Sequence, residues 1–317
     1  MSAVTLSSAT ADAPDSSGHG GSGEPDFRPL PGGWSGESFL SRIGGQTHVV
    51  RIYDPARKHR SDAAEVDAAL TRWVRGLVPV PRVVEVRPAK NGAPALLVTE
   101  YVEGVRADDV VREALAAGDR ATLARVGRAL GEVAGVLAGV PTLSRGRFTA
   151  PDLAVVEDPV GDDPYTRVER LLPELRGWEE GQRVALEQVV RRAQDLLDRV
   201  GRTSLVHGDL SPRNVVLDEK LEVAAVVDWE HAHAGDPHAD LGNLLRFDRD
   251  PAWEEGVLAG WVSVRGGDPQ EVRDLARSAD LAALCELAMR PGGNLVVDLA
   301  DLFLRQVAET GNVHAHP

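Results

Sequence analysis

The stretch "LVHGDLSPRNVVLD", residues 205–218, decides how the rest of the chain is interpreted. Two short apolar runs enclose a polar loop that contains His207, Asp209 and Asn214. Pro212 lies within this loop and prevents a regular helix there. Polar groups between two buried strands are costly unless they have partners, so the loop requires partners elsewhere in the chain or in a ligand.

A second short strand, "AAVVDWE" at residues 224–230, begins ten residues after Asn214 and carries Asp228 near its end. Two adjacent strands, each ending in an oxygen ligand, would bring Asn214 and Asp228 to one cation. Amide and carboxylate oxygens suit Mg²⁺, which takes one or two protein ligands besides phosphate oxygens. Asp209 would then be free to orient an incoming hydroxyl or to receive its proton. The alternative is that all three are ordinary turn residues.

A third motif, "GDPHADLGNLL" at residues 235–245, follows the first two in a fixed order. The ordered set resembles the aminoglycoside phosphotransferase and choline kinase family, relatives of the protein kinases. "HGDLSPRN" resembles its catalytic loop, H-G-D-x-x-x-x-N, and "VVDWE" its metal-binding segment. The resemblance covers roughly residues 30 to 310. It implies that Asp209 is the catalytic aspartate and that Asn214 and Asp228 hold Mg²⁺.

Two further residues of these motifs are interpreted as structural support for the site. His207 is expected to shape the loop by bonding to the backbone, without taking part in proton transfer. Asp240, in the third motif, is expected to accept hydrogen bonds that anchor the catalytic loop.

The resemblance implies an α+β, bilobal, protein-kinase-like fold. Residues 1–27 are rich in Ser, Gly, Ala, Asp and Pro and are expected to be a disordered tail. Residues 28–102 are expected to form a small β-sheet lobe with one main helix, which binds the nucleotide. Residues 103–317 are expected to form a larger, mostly helical lobe that carries catalysis and substrate binding. Its predicted helices lie at 107–117, 119–139, 164–176, 179–200, 252–264, 269–290 and 295–310, around a β-rich island at 203–229.

The N-terminal lobe offers candidates for nucleotide binding. "LPGGWSGESF" at 30–39 is similar to the nucleotide-covering loop of the family. In that loop Gly33 and Gly36 would let backbone N–H groups approach a phosphate, and Ser35 would add a hydrogen-bond donor. Arg51 is the candidate cation on the third strand, and the family pattern pairs it with Glu65 on the helix. The alternative is an exposed strand arginine and a surface glutamate.

Backbone groups of Glu100 and Val102 in "TEYVEG" occupy the position where the family contacts the nucleotide base. The alternative is that this stretch is plain core. The cofactors implied are ATP or GTP together with Mg²⁺, and the base preference is not readable because such contacts are made by the backbone.

The charge of the chain limits its partners. Arginine and lysine number 35 against 49 acidic residues, a net charge of −14, which disfavours nucleic acid. No apolar run approaches the roughly 20 residues of a membrane span. The single cysteine, Cys285, has apolar neighbours and is interpreted as a core residue. With no signal peptide recognised, a cytoplasmic location is expected.

An acidic surface favours a cationic acceptor. Segment 147–165 is either an acidic flap over such a ligand or a solvated loop. The tentative substrate-binding residues are acidic side chains: Asp162, Asp163, Asp248, Asp250 and Glu254.

These observations favour transfer of a γ-phosphoryl group from a nucleoside triphosphate to a hydroxyl of a small molecule. An aminoglycoside-like antibiotic is the preferred acceptor, which would make the chain a resistance enzyme. The alternative is a metabolic kinase of the same family, acting on choline, homoserine or fructosamine, or one acting on macrolides. A remote alternative is a pseudokinase that binds nucleotide without turning it over.

Overall fold

The computed structural model describes residues 28–30, 38–53, 61–159, 162–247, 250–290 and 294–317. Within these ranges an antiparallel sheet and one helix precede a larger, mostly helical part. The predicted α+β class with a sheet lobe and a helical lobe is confirmed.

The sheet lobe consists of five strands in the order β1-β2-β3-β5-β4, with helix α1 packed against it. Strands β2 and β3 form a hairpin whose turn residues, Gly44 and Gly45, have φ of 60° and 82°. Positive φ at both positions defines the type I′ turn, which glycine adopts without strain. The bounds are β1 Arg28–Pro29, β2 Ser38–Ile43, β3 Gln46–Tyr53, α1 Ala63–Val74, β4 Val83–Arg87 and β5 Ala95–Glu100.

The helical lobe contains eight helices and two small sheets among the described residues, of order β12-β11-β6 and β7-β10-β13-β8-β9. The helices are α2 Ala107–Ala117, α3 Arg120–Ala138, α4 Pro164–Leu171, α5 Glu180–Leu197, α6 Ala239–Leu245, α7 Pro251–Arg265, α8 Pro269–Ala288 and α9 Leu295–Thr310. The strands are β6 Val105–Arg106, β7 Pro141–Thr142, β8 Gly146–Thr149, β9 Ala154–Val156, β10 Thr203–Val206, β11 Val215–Leu217, β12 Val223–Val226 and β13 His233–Gly235. The predicted helices are confirmed to within three residues at their ends, except that α4 ends at Leu171, five residues before the predicted end, and one turn of 3-10 helix, Leu172–Glu174, follows it.

Two elements differ from the sequence-based expectation. Helix α6 was not predicted, because its two turns are too short to show an apolar period, and it is held by packing against α8. Segment 147–165 begins as the hairpin β8–β9, with the Phe148 side chain buried, so neither a flap nor a solvated loop describes all of it. Pro151 lies at the turn of this hairpin and interrupts the alternation of polar and apolar residues, so no clear strand signal is visible in the sequence here.

Helices α3 and α7 pack backbone to backbone along a seam of glycines. A Cβ on Gly131 would lie 2.0 Å from the carbonyl oxygen of Val257, and one on Gly260 would lie 2.1 Å from that of Arg128. Gly127 and Gly256 meet the facing helix in the same way. The seam therefore excludes side chains and fixes the distance between the two helices.

Two simpler predictions can be checked against the same coordinates. Cys285 is fully buried, and burial raises the pKa of its thiol to about 12, as expected for an unreactive core cysteine. Of the helices in the described ranges, none has both the length and the apolar character required to cross a membrane.

Candidate active site

Hydrogen bonds to a residue of helix α6 anchor the start of the loop of residues 207–214. Asp240, near the start of that helix, accepts hydrogen bonds from the backbone amides of His207 (2.8 Å) and Gly208 (3.0 Å). Burial raises the pKa of the Asp240 carboxyl, against the opposing influence of His207 and of these two bonds. Gly208 has φ of 82°, and a Cβ at this position would lie 2.3 Å from the carbonyl oxygen of His231, so only glycine fits.

The His207 ring is bonded to backbone through both nitrogens. Its Nδ1 accepts from the amide of Asp209 (3.3 Å), so the proton lies on Nε2, which donates to the carbonyl of Val227 (3.1 Å). The ring also packs on Trp229, with 4.6 Å between centroids. A ring occupied in this way shapes the loop and has no nitrogen left for proton transfer.

Asp209 and Asn214 are joined directly across the loop. The Asn214 Nδ2 group donates to the backbone carbonyl of Asp209 (2.8 Å) and to its carboxylate oxygen Oδ2 (2.9 Å). The Asp209 side chain is 30% exposed, and Arg213 lies 3.7 Å from its other oxygen. Because the amide nitrogen of Asn214 is used in this way, its amide oxygen is the atom available to a cation.

Asp228 follows the strand that pairs with β11. The amide of Val227 donates to the carbonyl of Asn214 (2.9 Å), which brings the end of β12 to the catalytic loop. Asp228 itself has φ of 70° and ψ of 64°, a left-handed conformation that is rare outside glycine and typical of strained functional positions. The two predicted metal ligands thus meet at the ends of neighbouring strands.

Arg51, on β3 of the sheet lobe, reaches across to this site. Its Nη1 lies 2.5 Å from Asp228 Oδ1, its Nη2 lies 2.8 Å from Glu230 Oε2, and Asp67 is 3.7 Å away. Burial raises the pKa of Asp228, but the neighbouring Arg51 charge and hydrogen bond outweigh it, so the net shift is downward. Asp228 therefore stays ionised, as its predicted role as a metal ligand requires.

The predicted pair between Arg51 and Glu65 is not formed, although both residues are described. On α1 successive residues are about 100° apart, so Glu65 and Asp67 lie on different faces of the helix. Asp67 faces the sheet, where it accepts from the Tyr53 hydroxyl. Glu65 instead has one buried carboxylate oxygen without a hydrogen-bond partner.

The donor set fits a magnesium ion. Within the described ranges no three or more His, Cys, Asp and Glu side chains are grouped to hold a metal, so a site built from protein carboxylates and imidazoles alone is not seen. Asn214 and Asp228, the predicted ligands, would provide the one or two protein oxygens that Mg²⁺ takes when phosphate completes its shell. Beside them, the guanidinium of Arg51 faces the carboxylates of Asp67, Asp228 and Glu230.

The predicted base-binding stretch follows the end of β5. The carboxylate of Glu100 accepts from the amide (3.0 Å) and the Nε (3.2 Å) of Arg82, so its side chain is occupied. The amide of Tyr101 donates to the carbonyl of Thr47 (3.2 Å). Any base contact at Glu100 or Val102 would involve their backbone, and that assignment stays a prediction.

The four tentative substrate-binding acids in the described ranges each have a local partner. Asp163 caps α4 by accepting from Thr166, and Asp250 caps α7 by accepting from Ala252. Asp162 lies 2.8 Å from Arg170, and Glu254 lies 2.5 Å from Arg273. Four predicted residues fall outside the described ranges: Gly33, Ser35, Gly36 and Asp248.

Sequence reasoning missed Glu230 and Asp67 as partners of Arg51. Glu230 stands two residues after Asp228 inside the quoted "DWE", so its place in the motif was the available signal. Asp67 had no such signal, because its burial depends on how α1 packs on the sheet.

The profile of the phosphotransferase enzyme family matches residues 26–275, well over half of the chain. Three solved structures share the fold. The GDP complex of aminoglycoside 2'-phosphotransferase-IIIa superposes with a TM-score of 0.62 at 16% identity, covering 90% of this chain and 93% of that one. A thermostable mutant of aminoglycoside phosphotransferase APH(4)-Ia, in complex with AMP-PNP and hygromycin B, gives 0.60 at 18% identity, covering 92% and 96%. Choline kinase LicA from Streptococcus pneumoniae gives 0.51 at 15% identity, covering 90% and 92%.

Among curated sequences, acyl-CoA dehydrogenase family member 10 of Mus musculus is 38% identical over 82 residues. The matched region is 26% of this chain and spans only 8% of the length of that protein.

Proposed function

The chain belongs to the phosphotransferase enzyme family, and on that premise we propose that it transfers the γ-phosphoryl group of ATP or GTP to a hydroxyl of a small molecule. Two contacts at neighbouring strand ends carry the proposal: Asn214 bonds to the carboxylate of Asp209, and Arg51 bonds to Asp228. Phosphoryl transfer requires oxygen ligands for a metal ion, a fixed cation for the phosphates and an accessible carboxylate for the acceptor hydroxyl. Asn214 and Asp228, Arg51 and Asp209 are the candidates for these three roles.

In the reaction, the acceptor oxygen forms a bond to the γ-phosphorus while the bond to the bridging oxygen breaks and the nucleoside diphosphate leaves. Asp209 orients the acceptor hydroxyl and takes its proton, and Asn214 holds that carboxylate in place. Arg51 positions the phosphates. A magnesium ion held by Asn214 and Asp228 would neutralise charge on the phosphate oxygens. The backbone of Glu100 and Val102 is the proposed contact for the base.

For the acceptor, we propose a polycationic aminosugar of the aminoglycoside type. The net charge of −14 favours cationic ligands, and two of the solved structures with this fold are named as aminoglycoside phosphotransferases. The acids at 162, 163, 250 and 254 do not support this choice, because each has a local partner. A smaller cation such as choline is the second candidate, since a choline kinase shares the fold.

A phosphate-transfer screen tests the proposal. The purified chain is incubated with MgATP or MgGTP and with aminoglycosides, macrolides, choline and amino alcohols, and products are read by mass spectrometry. We expect a mass increase of one phosphoryl group on an aminoglycoside. A product on choline or an amino alcohol alone would replace the acceptor assignment, whereas nucleotide binding with no product and no hydrolysis would favour the pseudokinase alternative.

A further inference from the structure

We infer that Arg213 is a further catalytic residue, whose guanidinium donates hydrogen bonds to the oxygens of the phosphoryl group during its transfer. This role rests on the proposed function and deepens it. Arg213 was not among the predicted site residues, because the loop pattern leaves the positions between Asp209 and Asn214 unspecified. The assignment gives the site a second guanidinium, beside the acceptor hydroxyl, in addition to that of Arg51.

The two oxygens of the Asp209 carboxylate have different neighbours. Oδ2 accepts from the Nδ2 group of Asn214 at 2.9 Å. Oδ1 lies 3.7 Å from Nη2 of Arg213, a distance that is too long for a hydrogen bond. An acceptor hydroxyl should therefore bond to Oδ1, the oxygen of Asp209 that Arg213 approaches.

The transferred phosphoryl group comes close to this guanidinium for a geometric reason. A hydroxyl that gives its proton to a carboxylate lies about 2.6–3.2 Å from it, and the phosphorus lies about 3–3.5 Å from the hydroxyl oxygen. The phosphorus is therefore within roughly 7 Å of Oδ1 of Asp209. Because Nη2 of Arg213 already lies 3.7 Å from that oxygen, rotation of its side chain brings the guanidinium to the phosphoryl oxygens.

The backbone that carries Arg213 is fixed by the turn around it. Residues Pro212–Asn214 form one turn of 3-10 helix, in which the proline ring fixes φ and the amide of Asn214 donates to the carbonyl of Ser211 at 2.9 Å. The Arg213 side chain is 43% exposed and has at least one further interaction within the chain. Its distance from Asp209, and not a lack of other partners, therefore places it at the site.

The charge of the reacting group gives a cation at this position its effect. Negative charge spreads over three oxygens of the transferred phosphoryl group, and arginine presents its N–H groups in a planar fork that can meet two of them. The hydroxyl oxygen bonds to phosphorus, its proton passes to Asp209, and the electron pair of the broken bond leaves with the nucleoside diphosphate. Arg213 exchanges no proton in this step and acts through hydrogen bonds alone.

The test measures two affinities of the full chain, for MgADP alone and for MgADP with aluminium fluoride, which mimics the phosphoryl group in transfer. Because Arg213 contacts that group during transfer, Arg213→Met should weaken the fluoride complex about 30-fold and leave the Kd for MgADP within about threefold of wild type. The kcat for ATP hydrolysis, with water as acceptor, should fall by a similar factor. Arg213→Lys keeps the charge without the fork and should lose less than about fivefold.

The matched control is Arg128→Met. Arg128 also pairs with an acid four residues away, Glu132 at 3.0 Å, and its side chain is 53% exposed, but it lies on α3. This variant should change both affinities by less than about twofold.

A second comparison separates direct contact from action through the carboxylate. In the Asp209→Ala background, Arg213→Met should still weaken the fluoride complex about 30-fold, because its contact is with the phosphoryl mimic. A loss that disappears in this background would make Arg213 only a partner of Asp209 and overturns the catalytic role.

The remaining outcomes also decide between the two proposals. An unchanged fluoride complex in Arg213→Met overturns the role of Arg213 and leaves the proposed function standing. If aluminium fluoride does not tighten MgADP binding in the wild type, kcat decides, and a value for Arg213→Met within about threefold of wild type overturns the role. Arg213→Gln takes the place of Arg213→Met if the thermal melt shows that the latter does not fold. A wild-type chain that neither binds MgADP nor hydrolyses ATP overturns the proposed function as well.

Discussion

The side-chain nitrogen of Asn214 donates to the carboxylate of Asp209 at 2.9 Å. This bond fixes the candidate base and leaves the amide oxygen of Asn214 as the group that could bind a cation. The catalytic and metal-binding roles proposed for this loop are thereby coupled through a single amide group.

Asp209→Ala should fold and bind nucleotide but turn over 10²–10⁴-fold more slowly, about the amount that a general base contributes. The measurement is kcat together with nucleotide Kd, with the thermal melt as control for folding. Turnover within tenfold of wild type would remove Asp209 from the catalytic role.

Asp240→Asn should lower the free energy of unfolding by about 1–3 kcal/mol, because only one amide oxygen remains for the N–H groups of His207 and Gly208. Urea denaturation at pH 7 measures the change.

The matched control for that change is Asp218→Asn. Asp218 also accepts from two backbone amides, those of Lys220 and Glu222, but at an exposed turn. It should cost less than about 1 kcal/mol, because both amides donate to the single oxygen Oδ1 and an asparagine keeps one such acceptor at this exposed turn. Equal costs at both positions would contradict the anchoring role of Asp240.

Gly131→Ala should destabilise the protein by about 3 kcal/mol, because the added Cβ would lie 2.0 Å from the Val257 carbonyl oxygen. Gly181→Ala on α5 meets nothing within 4 Å and should be neutral or stabilising by up to about 1 kcal/mol. Chemical denaturation of the two variants side by side gives the difference, and a harmless Gly131→Ala would mean that the helices separate easily.

His233 should make the protein less stable in mild acid. Burial lowers the pKa of its imidazole to about 4, below the ordinary value of 6.5, so the unfolded chain binds its proton first. Stability is therefore complete above about pH 6.5 and is lost progressively as the pH falls toward 4, with about 2 kcal/mol of loss between pH 7 and pH 5.

The measurement compares denaturation of wild type and His233→Asn at pH 7 and pH 5. The asparagine keeps a donor for the carbonyl of His231, which the ring contacts at 2.9 Å through Nδ1. The variant should lose less stability than wild type over this interval. Equal losses would show that other groups control the acid sensitivity.

The sequence motifs were sufficient to predict candidate site residues that lie close together along the chain. Asp209, Asn214 and Asp228 lie within 20 residues, and two short strands bring them together as the pattern indicated. The partner of Arg51 could not be obtained in this way. It depends on which face of α1 meets the sheet and on how closely the two lobes approach, and neither follows from spacing along the chain.

The bond between Arg51 and Asp228 joins positions 177 residues apart. At synthesis rates of about 5–20 residues per second, Arg51 is made roughly 10 to 35 s before Asp228 and Glu230, and of the three carboxylates near it only Asp67 is made soon after it. During that interval water has to solvate the guanidinium nitrogens that Asp228 and Glu230 contact in the folded chain. The sheet lobe therefore reaches its final ion pairs only after the segment around residue 230 has been synthesised.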